Sequence, residues 1–169
     1  MKFRLFAAAL ALLVAAYSAA PAHAQQAQLT PAEIAKIKTD LVAAAQVYMQ
    51  TFTAHDTKGI VEKVWANPGL ASDAKGITIM TPDKVANMYD SQYRDLEKLQ
   101  YDHSVMTKEP VVCVLSANNA IMNLSFQRIK KDGSRLLEAT AAYWYKKTAD
   151  GWRMATILDV GIKNPVTCD

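Results

Sequence analysis

"EATAAYWYKKTADGWRMATILDV", Glu138 to Val160, carries the strongest fold signal in the chain. Two apolar, aromatic-rich runs flank Thr148-Ala149-Asp150-Gly151, residues that turn a chain back on itself. Upstream, "KDGS" (Lys131–Ser134) and Asn118-Asn119 mark further turns. Between them Met122, Leu124 and Phe126 alternate with Asn123, Ser125 and Gln127, the period of a strand with two unlike faces. "YDHSVMTKEPVVCVLSA", Tyr101 to Ala117, reads as a strand interrupted by Pro110, which predicts a bulge or an edge position.

Before Tyr101 the period is helical. Thr30, Pro31 and Glu33 make a capping signature, and Ile34, Ile37, Leu41, Val42, Ala45, Tyr48, Met49 and Phe52 form one apolar stripe. His55-Asp56 ends this helix, and Asp56 caps a short second one, "TKGIVEKVW". "ANPGLASDAKG" reads as a break, Ile77–Met80 as a short strand, and Thr81-Pro82-Asp83 as the start of a third helix carrying Val85, Met88, Tyr89 and Leu96. The class is α+β, with helices gathered ahead of an antiparallel sheet. The long strands must coil to cover a helix, so the expected shape is a cone: a strongly curved antiparallel sheet wrapped around the long N-terminal helix.

The first residues read as an address. Lys2 and Arg4 precede an apolar run from Leu5 to Ala16, and Ala22-His23-Ala24 is a small-x-small cleavage site. Residues 1–24 are therefore expected to be a signal peptide, and 25–169 one domain exported to the periplasm or beyond. The alternative is an uncleaved anchor; the run is short for a bilayer span, which needs ~20 residues. No membrane association is expected after cleavage. Removing Lys2 and Arg4 lowers the formal charge from +3 to +1, which gives no electrostatic case for nucleic acid. The densest basic run, Arg128–Lys131, abuts a turn and reads as a solvated hairpin tip.

Cys113 and Cys168 are the two cysteines. In an oxidising compartment a pair suggests a disulfide, and a near-terminal cysteine has little packing purpose of its own. The five residues beyond Lys163 reach ~17 Å when extended, enough to cross about three strands. Two unpaired thiols are the alternative. Without nearby histidines the pair is a poor metal site, so no metal is expected.

The order of elements resembles the nuclear transport factor 2-like superfamily, also known as SnoaL-like domains. The resemblance is carried by "TAHD" followed by a short Trp-bearing helix, by the "TPDKVANMYDSQYRDL" helix after the first short strand, and by the closing "KKTADGWRMATILDV" hairpin. It covers roughly Pro31 to Ile162. It implies a pocket between the sheet and the helices, and a homodimer formed through the open sheet face, anchored by Trp144 or by Tyr143 and Tyr145. It does not fix an activity, because the fold carries many.

Candidate pocket walls are Trp65, Met80, Met88, Tyr89, Tyr143, Tyr145 and Trp152, which could equally fill a core. Polar candidates are His103, Asn123, Gln127, Glu138, Thr140 and Asp159. The ligand-binding set expected is Trp65, Met88, Tyr89, Asn123, Gln127, Tyr143 and Trp152, around a small apolar or amphipathic molecule and with no cofactor. In related isomerases and cyclases a pocket carboxylate acts as base; here Asp159 with His103 as electrophile is the corresponding pair. Asp159 reads equally as an end-of-strand surface residue. His55-Asp56 reads as helix punctuation rather than a dyad. Three functions stay open: a small-molecule-binding domain, a cofactor-free isomerase, cyclase or dehydratase, and a homodimeric interaction module.

Overall fold

Helix α1 (Pro31–Thr53) begins with the capping box its sequence promises. Thr30 Oγ1 accepts from the Glu33 N–H at 3.3 Å, and Glu33 Oε2 accepts from the Thr30 N–H at 2.7 Å. Ile37, Leu41, Ala45, Tyr48, Met49 and Phe52 form its buried stripe. His55 ends it with φ 52°, its ring stacked on Tyr93 at 4.5 Å. Asp56 Oδ1 then accepts from the Gly59 N–H at 2.8 Å, capping α2 (Thr57–Gly59), which runs into a π-helical turn, Ile60–Val64. The computed structural model describes residues 28–73, 76–158 and 166–168. The expected signal peptide, residues 1–24, and Asp159 lie outside them.

The remaining elements are β1 (Trp65–Asp73), β2 (Gly76–Met80), α3 (Pro82–Lys98), β3 (Tyr101–Met106), β4 (Val111–Ser116), β5 (Asn119–Lys130), β6 (Arg135–Thr148) and β7 (Gly151–Leu158). They form one sheet ordered β2-β1-β7-β6-β5-β3, with β4 also on β5. The strand expected to be interrupted at Pro110 is two strands. β4 covers the first half of β5, from Val111↔Asn123 to Ser116↔Asn119, and β3 covers the second, from Tyr101↔Lys130 to Met106↔Phe126. Pro110 sits in the break, where its missing N–H leaves no ladder bond unmade.

Two expectations need correction. The sheet is mixed rather than antiparallel, because β1 pairs parallel with β7. Nor is it a strongly curled cone. Its ladders are interrupted by register shifts, between Trp144 and Tyr145, Arg128 and Ile129, and Tyr101 and His103. β1 was also hidden in the sequence, since "ANPGLASD" carries turn formers and a cis Asn67–Pro68 bond. Its glycine has a packing role: a Cβ on Gly69 would lie 2.7 Å from Cε3 of Trp65, so only glycine lets that ring lie against the backbone.

The alternation of each strand divides the sheet into two faces. Ala120, Met122 and Leu124 on β5, Tyr143 and Tyr145 on β6 and Met154 on β7 are buried on the inner face, under α1 and α3. Asn123, Ser125 and Gln127, with Glu138, Thr140 and Trp144, occupy the outer face.

Candidate functional site

Among the described residues the inner face is packed with aromatic side chains. Phe52 is the hub of an aromatic cluster, meeting Tyr48, Tyr89, Tyr93 and Tyr101 edge-on at centroid distances of 5.3–6.0 Å. Tyr48 meets Tyr143 the same way at 5.8 Å, and the Trp65 indole N–H donates to the Tyr89 hydroxyl at 3.1 Å. The Arg128 guanidinium lies over the Phe52 ring at 4.6 Å, closing the side near Ser104. The cavity left between Tyr48, Phe52, Phe126 and Arg128 is about 10 Å³, at the lower limit for one water. Burial pushes the phenols of Tyr48, Tyr89, Tyr143 and Tyr145 above the ordinary tyrosine range, so they stay protonated at neutral pH.

On the outer face lies a cleft of about 410 Å³. Its floor is Asn123, Ser125, Glu138 and Thr140, one flank is Lys108 to Val111, and the other is the tail, Val166 to Cys168. Strand pairing sets the floor: Ser125 stands opposite Thr140 and Gln127 opposite Glu138. The two hydroxyls share a hydrogen bond at 2.9 Å. Glu138 Oε2 accepts from Gln127 Nε2 at 3.1 Å and from Arg135 Nη1 at 2.8 Å. Asn123 holds the tail by both its amide atoms. Its Oδ1 accepts from the Val166 N–H at 3.2 Å, and its Nδ2 donates to the Val166 carbonyl. The Cys113–Cys168 disulfide fastens the same tail to β4, with Cα atoms 5.3 Å apart.

The sheet thus separates the expected ligand-binding set. Trp65, Tyr89, Tyr143 and Trp152 are buried on the inner side, with Met88 packed against them, while Asn123 and Gln127 belong to the outer face. The two groups lie on opposite faces of the sheet. The cause is strand parity: Asn123 lies between Met122 and Leu124, which point to the helices. Met80 and Tyr145 are also core residues. Among the polar candidates, Asn123, Glu138 and Thr140 meet in the cleft, with Gln127 beside it.

His103 shares the outer face, two positions along β3 from Val105, which stands opposite Gln127. Its side chain is 42% exposed and its Nδ1 lies 2.7 Å from Oδ2 of the neighbouring Asp102. Sequence reasoning missed Ser125, which parity with Asn123 and Gln127 could have supplied. It also missed Lys108, Glu109, Val166 and Thr167, for which no local pattern exists. Among the described residues no three His, Cys, Asp or Glu side chains cluster as metal ligands, and no helix is long and apolar enough to cross a membrane.

This architecture agrees with the family comparison: residues 39–161 match the family described as NTF2-like protein (DUF6841). The chain belongs to that family. It is similar in structure to an NTF2-like superfamily protein from Salmonella enterica serovar Typhimurium, at 13% identity and TM-score 0.55, over 79% of this chain and 99% of that one. A second similar structure is an NTF2-like protein with a cystatin-like fold from Novosphingobium aromaticivorans, at 14% identity and TM-score 0.57, over 75% and 82% of the two chains. A third, from the same organism, is described as a putative aromatic ring hydroxylase, at 11% identity and TM-score 0.57, over 77% and 89%. Identities this low carry the NTF2-like fold and nothing about activity. No curated protein matches the chain.

Proposed function

We propose that this chain is an exported NTF2-like binding domain that holds a small amphipathic molecule in the outer-face cleft without acting on it. The observation that carries the reading is the contrast in space: about 410 Å³ above the outer face against about 10 Å³ within the aromatic cluster. A few hundred Å³ suits a small ligand. The floor offers hydroxyl, amide and carboxylate groups, and Val111 and Val166 supply apolar flanks. The polar groups are already hydrogen-bonded to one another, which favours recognition over proton transfer. Export is supported by the signal-like first 24 residues and by a disulfide that joins residues 55 apart, which persists best in an oxidising compartment.

The test is native mass spectrometry after incubation with a periplasmic metabolite extract. A bound mass is expected on the native chain and is expected to be lost in Thr140→Trp, which fills the cleft floor. A bound mass that survives that substitution, or no bound mass at all, overturns the reading.

A second reading, a homodimer, is favoured by the exposed apolar residues of the same face. Ile77 and Ile79 on β2 are 76% and 59% exposed, and Val111 and Leu115 on β4 are 51% and 59% exposed. Register places Ile77, Ile79 and Val111 on the outer side, Ile79 opposite Leu70, and Leu70 opposite Thr156, which leads through Trp144 and Ile121 to Cys113, while Leu115 sits at the register shift between Val114 and Ser116. Exposed apolar side chains gathered on one sheet face are the kind a second copy covers. Sedimentation should give a dimer at micromolar concentration and a monomer for Ile79→Lys; a monomer for both removes this reading.

A further inference from the structure

The tail that walls the cleft is held in an unusual balance. Among the described residues two fastenings hold Val166–Cys168 over β4 and β5: the paired hydrogen bonds of Asn123 to the Val166 backbone, and the disulfide to Cys113. The hydrogen bonds are weak as a latch. Each is worth about 1 kcal/mol net, while ordering each tail residue costs about 1–2 kcal/mol of backbone entropy. Asn123 is also a residue that loses little on release. It is 5% exposed beneath the tail, and once uncovered its amide makes the same bonds to water. An apolar side chain in that place would hold the tail down by burial whatever the disulfide did. Among the described residues the covalent bond is therefore the stronger fastening of the wall.

We infer that Cys113–Cys168 is a reducible clasp that controls the outer-face cleft, opened by a vicinal dithiol. The inference rests on the proposed cleft as the binding site. Attack comes at Cys168, which is exposed, rather than at Cys113, which is 8% exposed on β4. The thiolate of the dithiol bonds to Cys168 Sγ, the Cys113–Cys168 bond breaks, and Cys113 leaves as a thiolate that takes up a proton. The second thiol then displaces Cys168 from the mixed disulfide. The protein disulfide is reduced by two electrons and the dithiol is oxidised to its own disulfide. Val166 then loses its place on Asn123, and the cleft loses the flank that Val166, Thr167 and Cys168 form.

The experiment uses the exported chain in three forms: oxidised, reduced with dithiothreitol, and Cys168→Ser. NMR reads amide exchange at Val166 and the side-chain amide of Asn123, and Nile red, a neutral amphipathic dye, probes the cleft. Reduction and Cys168→Ser are each expected to speed Val166 exchange and weaken dye binding by about tenfold or more, the factor for about 1.4 kcal/mol. Both forms are expected to keep a cooperative thermal melt, which separates release of the tail from loss of the fold. Limiting monothiol is expected to leave its mixed disulfide on the Cys168 peptide. Val166 still protected after reduction, equal dye binding by oxidised and reduced protein, or the mixed disulfide on Cys113 overturns the clasp. If Val166 is released but the dye binds in none of the three forms, the binding-site reading falls and control of a binding cleft falls with it, while the redox release of the tail stands as measured.

Discussion

The inner and outer faces of this sheet are made by the same strands, yet they divide the work of the molecule. Leu124 and Ser125 are neighbours in sequence; one is fully buried under α1, and the other floors an open cleft. The inner face gathers tyrosines, tryptophans and phenylalanine until only about 10 Å³ remains between Tyr48, Phe52, Phe126 and Arg128. The outer face keeps small hydroxyls and amides beneath about 410 Å³ of space. Large side chains on one parity create stability by excluding water, and small polar ones on the other leave room for something else to do so. In this chain, stability and the proposed recognition can therefore be perturbed separately.

The largest way to break the comparison is alkali. Tyr48, Tyr89, Tyr143 and Tyr145 have pKa values raised by burial, so the folded state holds their protons more tightly than the unfolded chain, whose tyrosines titrate near about 10. Their contribution is complete below pH ~10 and is lost as pH rises from there toward the folded values, at up to about 1.4 kcal/mol per pH unit per tyrosine. Urea midpoints should hold level to about pH 9 and fall steeply above about pH 10. Phenolate absorbance should rise together with loss of circular dichroism; tyrosines ionising while the fold remains intact would contradict a sealed inner face.

A smaller but sharper test is Phe52→Ala. Phe52 is 2% exposed at the centre of the aromatic cluster, and its removal should cost about 3–5 kcal/mol, read from urea denaturation. A cost under about 1 kcal/mol would mean that the cluster is loosely packed. The smallest effect belongs to the other face. Thr140→Val keeps the shape and breaks the bond to Ser125, whose hydroxyl can turn to water, so stability should fall by less than about 1 kcal/mol. The same change should weaken ligand retention in the cleft, separating the two faces in one pair of variants.

Much of this division was legible in the sequence. The alternation of Met122, Leu124 and Phe126 with Asn123, Ser125 and Gln127 sorted β5 correctly, because a period of two depends only on the backbone. The capping box of α1 and the Asp56 cap were readable for the same local reason. β1 was not, since Pro68 and Gly69 suit a turn as well as a strand, and only pairing with β2 and β7 decides between them. The candidate site was half legible. Asn123, Glu138 and Thr140 were singled out as polar, but grouped with Trp65, Tyr89, Tyr143 and Trp152, because parity within a strand does not say which face the helices cover. The flank from Val166 to Cys168 had only its cysteine as a signal, and the pairing of Cys113 with Cys168 followed from reach and compartment.

On the proposed reading, ligands meet this domain on the outer face of its sheet. The most direct measurement is a map of amide chemical-shift changes on the ¹⁵N-labelled oxidised chain, titrated with a library of small amphipathic molecules. The largest changes are expected at Asn123, Ser125, Glu138, Thr140 and Val166, with Tyr48, Tyr89 and Tyr143 undisturbed. Changes centred on those three tyrosines, with the outer residues silent, would contradict it.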